Sequence, residues 1–423
     1  MTVVLFIVGI LVMIVGLAVS IALHELGHLW PAKRFGVRVG QYMIGFGPTL
    51  WSRRIGETEY GVKLLPLGGY ISMAGMYPPA PVKTRAGRAA GGFFATMVQD
   101  ARAANDETLQ GEDDRRVFYR LPVYQRVIVM LGGPTMNLLL AIVLFTIVFS
   151  GIGVQTATTT ISSLSECVPA AGSSACAPSD PAPPATTAGF EPGDRIVSID
   201  GTPMTSFDQV SEVVQASPGI PLSVVVERDG GQQTISVSPA TVETDGGPIG
   251  FLGVSPTAEL QRQPIWDGAA MALQNTGQVA AIIVQLPVMV WDTGVSLFTG
   301  QERDPNGPLS VVGVAGIAGE VAAADAPVLN RVSATLSLVA SLNIALFVFN
   351  LIPLLPLDGG HVLVALWDGL KRGWSKLTGR APPKPVDATK LVPVTFVVVV
   401  LLIAMGAVLI LADLVNPISL FGN

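Results

Sequence analysis

Two histidines and a glutamate stand at metal-binding spacing inside an apolar segment near the start of the chain. His24, Glu25 and His28 form an H-E-x-x-H pattern within the stretch IALHELGHLW. On a helix, positions i and i+4 share one face, so both imidazoles can bind one metal ion while Glu25 lies beside it as a general base. Ionisable groups within an apolar segment are costly and usually functional. The pattern therefore predicts a catalytic zinc site, and the alternative is a buried polar cluster that only packs helices.

A third ligand is needed, because catalytic zinc usually takes three protein ligands and keeps a fourth position open. The stretch FNLIPLLPLDGGH, residues 349–361, has one acidic residue, Asp358. All three histidines of the chain fall in these two segments. We therefore predict that His24, His28 and Asp358 bind one Zn²⁺ per chain, with a helix cap as the alternative role of Asp358. His361 as a fourth ligand would close the open position, so we favour a supporting or packing role for it.

The composition indicates a membrane protein with spans that can position these groups. Half of the 423 residues are hydrophobic and 13% are charged, whereas soluble proteins carry about 25% charged residues. The net charge of −6 comes without a basic stripe, which argues against a nucleic-acid partner. Four apolar segments are long enough to cross a bilayer, which takes about 20 residues. The first has no basic residues before it, so we interpret it as a retained helix, with a signal peptide as the alternative.

Charge sets the expected order and orientation of the regions. Lysine and arginine concentrate in two loops, which the positive-inside rule places in the cytoplasm; both termini and residues 151–334 are then outside. The predicted regions are a first span with H-E-x-x-H (1–31), a cytoplasmic region (32–126), a second span (127–150), an α+β module (155–257), a membrane-surface region (258–334), a third span with Asp358 (335–366), a basic cytoplasmic loop (367–391) and a fourth span (392–414).

The regions between the spans differ in composition and residue pattern. Residues 41–73 alternate aromatic and branched runs with glycines, which predicts short β-hairpins against or within the bilayer surface. Residues 77–115 are predicted to be a flexible insertion. The apolar run 279–291 is short for a span, so we predict an amphipathic or membrane-surface helix, with a fifth span as the alternative. Cys167 and Cys176 are either free surface thiols or a small-loop disulfide.

The motifs together resemble the site-2 protease family. H-E-x-x-H in the first span, N-x-x-P-x-x-P-x-D-G from Asn350 to Gly359, and a PDZ-like module between them are similar to the bacterial group with a single extracytoplasmic PDZ domain. The stretches GFGPTLW, LPLGGY, GGPTMN and GPLSVVG also resemble that group. One departure is Ala345, which stands where bacterial relatives often have a second asparagine; Asn343 is two residues earlier.

From the residues and the resemblance we expect a polytopic α-helical membrane protein with four transmembrane helices, a membrane-associated β-hairpin region and an extracytoplasmic α+β PDZ-like domain. The resemblance implies a monomeric zinc endopeptidase of the bacterial inner or plasma membrane. Its substrates would be single-span proteins, such as anti-sigma factors already trimmed by another protease.

A transmembrane helix has all its backbone hydrogen bonds satisfied, so a substrate must unwind locally and bind as an extended segment. The hairpin region could receive it by strand addition. The residues expected to contact it are Asn350, Pro353, Gly68 and Gly69, and those expected to support the site are His361 and Asn343.

A second hypothesis is an inactive scaffold or a metal-handling membrane protein that binds partners through the PDZ-like module. Transport would favour ligands spread over more spans and an internal repeat, and the sequence has neither. A scaffold would tolerate the loss of Glu25, which is present. A serine intramembrane protease would need a further catalytic histidine, and an aspartyl type would need two intramembrane aspartates, where one is found.

Overall fold

The computed structural model describes residues 2–78, 93–109, 115–168, 176, 180–244, 247–301, 303–381, 383 and 385–420. The chain divides into two compact units, one of residues 1–150 with 264–423 and one of residues 151–263. The helices are α1 (Thr2–Arg34), α2 (Phe93–Glu107), α3 (Val123–Thr146), α4 (Pro184–Ala188), α5 (Phe207–Gln215), α6 (Ile265–Thr299), α7 (Val311–Ala323), α8 (Val328–Asn350), α9 (Asp358–Leu377) and α10 (Val392–Val415).

The first unit is helical apart from one hairpin, β1 (Val39–Ile55) and β2 (Thr58–Met73). Within the described residues, five helices are long and apolar enough to cross a membrane: α1, α3 with its continuation to Ile152, α6, α8 and α10. The membrane-protein class is confirmed. The additional candidate is α6, a single helix of 35 residues that contains the run 279–291, and its assignment as a membrane-surface helix stays a prediction. The count of four spans stays a prediction.

The predicted third span, residues 335–366, is not one continuous helix. α8 ends at Asn350 and α9 begins at Asp358. Pro353 and Pro356 lie between them, and proline cannot continue a helix because it lacks the N–H group. At Gly359 an added Cβ would lie 2.4 Å from the Leu351 carbonyl oxygen, so glycine allows the chain to fold back tightly. Asp358 was predicted at the end of the third span, and it is the first residue of a new helix after α8.

Small residues allow α1 to pack closely against α3 and α8, as is usual between helices in membranes. An added Cβ at Gly27 would lie 2.2 Å from the Gly132 carbonyl oxygen of α3. Towards α8, an added Cβ at Gly16 would lie 3.1 Å from Val339 Cγ2.

One turn further along both α1 and α8, Asn343 Nδ2 donates to Ser20 Oγ at 2.8 Å. Residue numbers rise together along this α1–α8 contact, so the two helices run in parallel.

The region 41–73 folds as one long bent hairpin and not as the several short hairpins predicted. Residues 41–44 of β1 pair with residues 59–62 on one side and with residues 69–72 on the other. The bends that allow this pairing occur at Gly45 and Gly47, where φ is +92° and +85°, values that glycine adopts without strain. The result is a small sheet in which the end of β2 forms one edge.

Part of the predicted flexible insertion 77–115 is helical. α2 lies within it, and Arg102 of α2 donates to Asp387 Oδ2 at 2.6 Å and to Thr389 Oγ1 at 3.0 Å. The prediction of flexibility is therefore wrong for α2. Residues 79–92 and 110–114 lie outside the described part of the chain.

The second unit, residues 151–263, is mainly β. Its strands are β3 (Val154–Leu164), β4 (Arg195–Ile199), β5 (Thr202–Pro203), β6 (Leu222–Arg228), β7 (Gly231–Val237), β8 (Ala240–Thr244), β9 (Gly247–Phe251) and β10 (Val254–Gln261). The main sheet has the order β10-β3-β4-β6-β7, with β5 paired to β4, and β8 and β9 form a separate hairpin. α5 packs its buried Val210 and Val214 into the apolar core of this unit.

Two links strengthen the second unit. Cys167 and Cys176 form a disulfide, which decides between the two alternatives for this pair. Arg228 donates to both carboxylate oxygens of Asp194 at 2.6 and 2.7 Å. Burial alone would raise the pKa of Asp194, but the hydrogen bonds from Arg228 hold that pKa below its ordinary value. The PDZ-like assignment of this unit stays a prediction.

Candidate metal centre

Three side chains from α1 and α9 converge on one point. His24 and His28 share a face of α1, and their Nε2 atoms are 3.2 Å apart. Asp358, at the first position of α9, places its Oδ2 atom 3.3 Å from His24 Nε2 and 3.4 Å from His28 Nε2. These three atoms form an almost equilateral triangle of two nitrogens and one oxygen.

The triangle fits a tetrahedral zinc ion. Ligand atoms bound at 2.0–2.1 Å in tetrahedral geometry lie about 3.3–3.4 Å from one another, close to the three distances observed. Asp358 Oδ2 is buried and has no hydrogen-bond partner among the described residues, as suits an atom that faces a cation. Within the described part of the chain, this is the one group of three or more such side chains able to hold a metal. Three protein ligands leave the fourth position open.

α3 closes one side of the two histidines. His28 Nδ1 lies 2.7 Å from the Val129 carbonyl oxygen, so Nδ1 carries the proton and Nε2 is free to bind metal. An added Cβ at Gly133 would lie 2.3 Å from His28 Nε2 and 2.8 Å from His24 Cε1. Only glycine leaves room for the imidazoles here. Gly133 and Val129 were not among the site residues predicted from the sequence, and the stretch GGPTMN, residues 132–137, was the available signal for Gly133.

Glu25 lies on the side of α1 that faces the hairpin. It is 8% exposed, and an added Cβ at Gly69 of β2 would lie 2.9 Å from Glu25 Cγ. The Tyr42 hydroxyl of β1 donates to the Ala22 carbonyl oxygen at 2.7 Å and so fixes the hairpin to α1. The edge of the small sheet therefore touches the carboxylate that stands beside the metal ligands.

The other residues predicted to contact substrate lie at the end of α8, in the α8–α9 turn and on β2. Asn350 ends α8, and its Nδ2 donates to the Leu346 carbonyl oxygen at 3.0 Å. Pro353 is exposed in the turn between α8 and α9. Gly68 has a φ of +150°, and an added Cβ there would lie 2.4 Å from Phe46 Cε2, so the Phe46 ring packs against the main chain of β2 at this position.

The two residues predicted to support the site lie one helical turn or more from the ligand atoms. His361 is half-buried and stacks on Tyr77, with ring centroids 6.3 Å apart; it is not among the converging ligands. Asn343 is fully buried and bonded to Ser20, one turn before His24 on α1. The structure thus brings His24, Glu25, His28 and Asp358 together and leaves these two outside the centre.

The arrangement has the parts of a metal-assisted hydrolase. It combines a three-ligand site with an open position and a buried carboxylate on the same helix turn as the ligands. A bare strand edge lies next to that carboxylate. Such a set can activate water and hold an extended peptide.

The chain is similar over its whole length to known metalloproteases. Residues 12–381 match Peptidase family M50. Zinc metalloprotease Rip1 of Mycobacterium tuberculosis is 34% identical over 442 aligned residues, which cover 99% of this chain and 100% of that protein. Rip1 of Mycolicibacterium smegmatis is 32% identical with the same coverage. Metalloprotease MmpA of Caulobacter vibrioides is 28% identical over 86% of this chain and 88% of its own.

Proposed function

The chain belongs to peptidase family M50 and is a zinc-dependent metalloendopeptidase of the membrane, and from this premise we propose that it cleaves single-span membrane proteins within or beside their transmembrane segment. The observation that carries the proposal is the convergence of His24, His28 and Asp358 next to Glu25. Two helices at this centre, α1 with both histidines and α3 beside them, are apolar enough to lie in a bilayer, so the scissile bond would be reached there.

In this proposal each residue of the centre has one role. His24, His28 and Asp358 hold the zinc ion, which when bound lowers the pKa of water towards about 7 and polarises the scissile carbonyl. Glu25 accepts the proton of the attacking water and then delivers it to the nitrogen of the leaving amine. Burial of Glu25 keeps this proton from exchanging freely with solvent.

The hairpin receives the substrate as an added strand. A transmembrane helix has all its backbone hydrogen bonds satisfied, so the substrate must unwind locally before its peptide bond can reach Glu25. Residues 69–73 of β2 pair with β1 along one side. The opposite side of this edge can bond an extended substrate. Gly69 brings this edge within contact of Glu25, Gly68 precedes it in the same strand, and Asn350 at the end of α8 and Pro353 in the α8–α9 turn would contact the substrate backbone.

The chain acts as the second step of regulated intramembrane proteolysis, on substrates such as anti-sigma factors that a first protease has shortened. The second unit, residues 151–263, lies outside the cytoplasm as a PDZ-like domain and screens substrates by size or by their new C-terminus. The Cys167–Cys176 disulfide supports this location, because disulfides persist in oxidising compartments. Both termini are also external, and the protein works as a monomer in the bacterial plasma membrane.

The test is cleavage in liposomes of one single-span substrate in two forms, with its full external domain and with that domain truncated. We expect the truncated form to be cut at a bond inside or beside its span, located by mass spectrometry of the products. We expect the full-length form to be cut much more slowly. Cleavage confined to soluble loops of either form would contradict the proposal. Zinc binding with no cleavage of any form would favour the scaffold or metal-handling alternative.

A further inference from the structure

One nitrogen of the metal centre has no partner. His28 Nδ1 is bonded to the Val129 carbonyl oxygen, whereas His24 Nδ1 is buried without a hydrogen-bond partner among the described residues. A histidine that binds metal through Nε2 almost always donates its Nδ1–H to an oxygen, which fixes the tautomer and the ring orientation. His24 therefore lacks an acceptor of the kind that its neighbour has.

A second buried group without a partner lies on the helix that faces this histidine. Asn137 of α3 is 1% exposed, and in the described part of the chain neither its Oδ1 nor its Nδ2 has a hydrogen-bond partner. A buried amide with both atoms unpaired is costly in an apolar interior. We therefore expect a polar group close enough to form a hydrogen bond with the Asn137 amide.

The geometry of α3 carries the Asn137 side chain towards His24. Val129, Gly133 and Asn137 are spaced four residues apart and so follow one stripe of α3. Val129 contacts His28, and Gly133 contacts both imidazoles. Because α3 runs antiparallel to α1 and Gly27 lies opposite Gly132, Asn137 lies opposite the turn of α1 between Ser20 and His24. Helical side chains also lean towards the N-terminus of their own helix, which brings the amide back towards the centre.

Ser20 of α1 is engaged by other partners, and Asn343 of α8 is held through its Nδ2, although its Oδ1 is also without a partner among the described residues. Ser20, one turn before His24 on the same face, donates to the Gly16 carbonyl oxygen and accepts from Asn343 Nδ2, both at 2.8 Å. Its hydroxyl proton and its orientation are therefore fixed by other partners. Asn137 is left as the unengaged acceptor on the facing stripe.

We propose that Asn137 is the positioning residue for His24, with its Oδ1 accepting the Nδ1–H directly or through one water molecule. This contact holds His24 in the tautomer whose Nε2 lone pair faces the metal, as the Val129 carbonyl does for His28. One helix, α3, then orients both histidines, one through a main-chain oxygen and one through a side chain. The proposal rests on His24 being a metal ligand.

The test measures metal binding in the purified full-length chain, independently of cleavage. Asn137→Leu keeps the approximate size but removes the acceptor, and Asn137→Asp keeps an acceptor. We expect the Leu variant to lose zinc to a competing chelator about 10–100-fold more readily than wild type. The Asp variant should bind zinc within a few-fold of wild type. Asn343→Leu is the control for removing a buried amide: it should lower thermal stability and leave zinc affinity unchanged.

Cobalt substitution gives the second measurement, because the visible absorption bands of Co²⁺ report the geometry and strength of its ligands. The bands should change in Asn137→Leu, shift in Asn137→Asp because a charged acceptor makes the imidazole more basic, and stay unchanged in Asn343→Leu. If Asn137→Leu does not fold, the cobalt bands of Asn137→Asp alone test whether Asn137 contacts His24.

Wild-type zinc affinity in Asn137→Leu, or wild-type cobalt bands in Asn137→Asp, would overturn the proposal. His24→Ala is measured in parallel. Full zinc content in that variant would overturn the assignment of His24 itself, separately from the role of Asn137.

Discussion

At the scale of single residues, Asp358 joins two parts of the chain that lie more than 300 positions apart. It supplies the anionic ligand and completes the triangle with His24 and His28. Asp358→Asn keeps an oxygen but loses the negative charge that balances Zn²⁺ in a site of low dielectric. We predict that zinc retention falls by at least about 10–100-fold and that cleavage is lost. Zinc per chain after gel filtration with a chelator, beside a cleavage assay, measures both effects.

The matched control is His361→Ala, one helical turn further along α9. Because its ring stacks on Tyr77 and is not one of the converging ligands, zinc retention should change much less than in Asp358→Asn. Full zinc in the Asp358 variant together with loss in the His361 variant would assign the third ligand to His361.

The metal ligands could be predicted from the sequence because their spacing is local and histidines are scarce. The H-E-x-x-H spacing fixes a shared helix face, and Asp358 is the acidic residue beside the third histidine. The contribution of Val129 could not be predicted, and the stretch GGPTMN indicated Gly133 only as part of a family resemblance. A main-chain carbonyl has no signature in the sequence, and the role of Gly133 exists only because α3 crosses α1 at that point.

At the scale of elements, the contact between β2 and α1 sets the distance from the substrate-binding edge to the catalytic carboxylate. In Gly69→Ala the new methyl group would lie 2.9 Å from Glu25 Cγ and from Ile21 Cγ2, so strand and helix must separate by a few tenths of an ångström. We predict that the cleavage rate falls roughly 10–100-fold, since small misplacements of reacting groups have effects of that size. Zinc content should remain at the wild-type level, because no ligand moves.

Gly40→Ala is the control in the same hairpin, since its added Cβ would meet the nearest atoms, those of Ser72, at an ordinary 3.8 Å. It should cleave at close to the wild-type rate. Equal rates in the two variants would mean that the β2–α1 contact does not position the reaction.

Sequence patterns predicted the strands of the hairpin but not its pairing. Alternating residues indicate extended backbone, whereas the pairing of residues 41–44 on both sides depends on bends at Gly45 and Gly47. The break between α8 and α9, in contrast, could be predicted from the sequence. Pro353 and Pro356 marked it in the sequence, because proline interrupts a helix.

At the scale of the whole first unit, contacts of α6 bear on the number of spans. An added Cβ at Gly268 would lie 2.5 Å from the Thr146 nitrogen at the end of α3, and one at Gly294 would lie 3.6 Å from Val408 in the last third of α10. In the proposed orientation α3 and α10 both run outwards, so both ends of α6 lie near the outer side. α1 and α8 run in parallel, and α3 runs antiparallel to α1. The chain between the end of α3 and the start of α8 must therefore begin and end on the same side of the membrane.

We therefore predict that α6 lies across the outer part of the membrane and does not span it. A cysteine at position 306, in Asn306→Cys, should react with an impermeant reagent added outside the cell, as should Gln232→Cys in the second unit. Gly373→Cys, in the basic region after α9, should react only after the membrane is opened. Labelling of position 306 only from the cytoplasm would establish α6 as a fifth span and invert the orientation of every element after it.

The central claim is that Glu25 acts as the base beside a zinc ion held by His24, His28 and Asp358. Glu25→Gln keeps the size and most hydrogen bonding but cannot accept the proton of water. The direct measurement is zinc per chain and the cleavage rate of one reconstituted single-span substrate, for wild type, Glu25→Gln and the control Glu320→Gln, whose carboxylate bonds Ser419 and Leu420 instead. We predict one zinc per chain in all three proteins, wild-type cleavage in the control, and a loss of at least about 100-fold in Glu25→Gln. Cleavage by zinc-loaded Glu25→Gln at the wild-type rate would contradict the account.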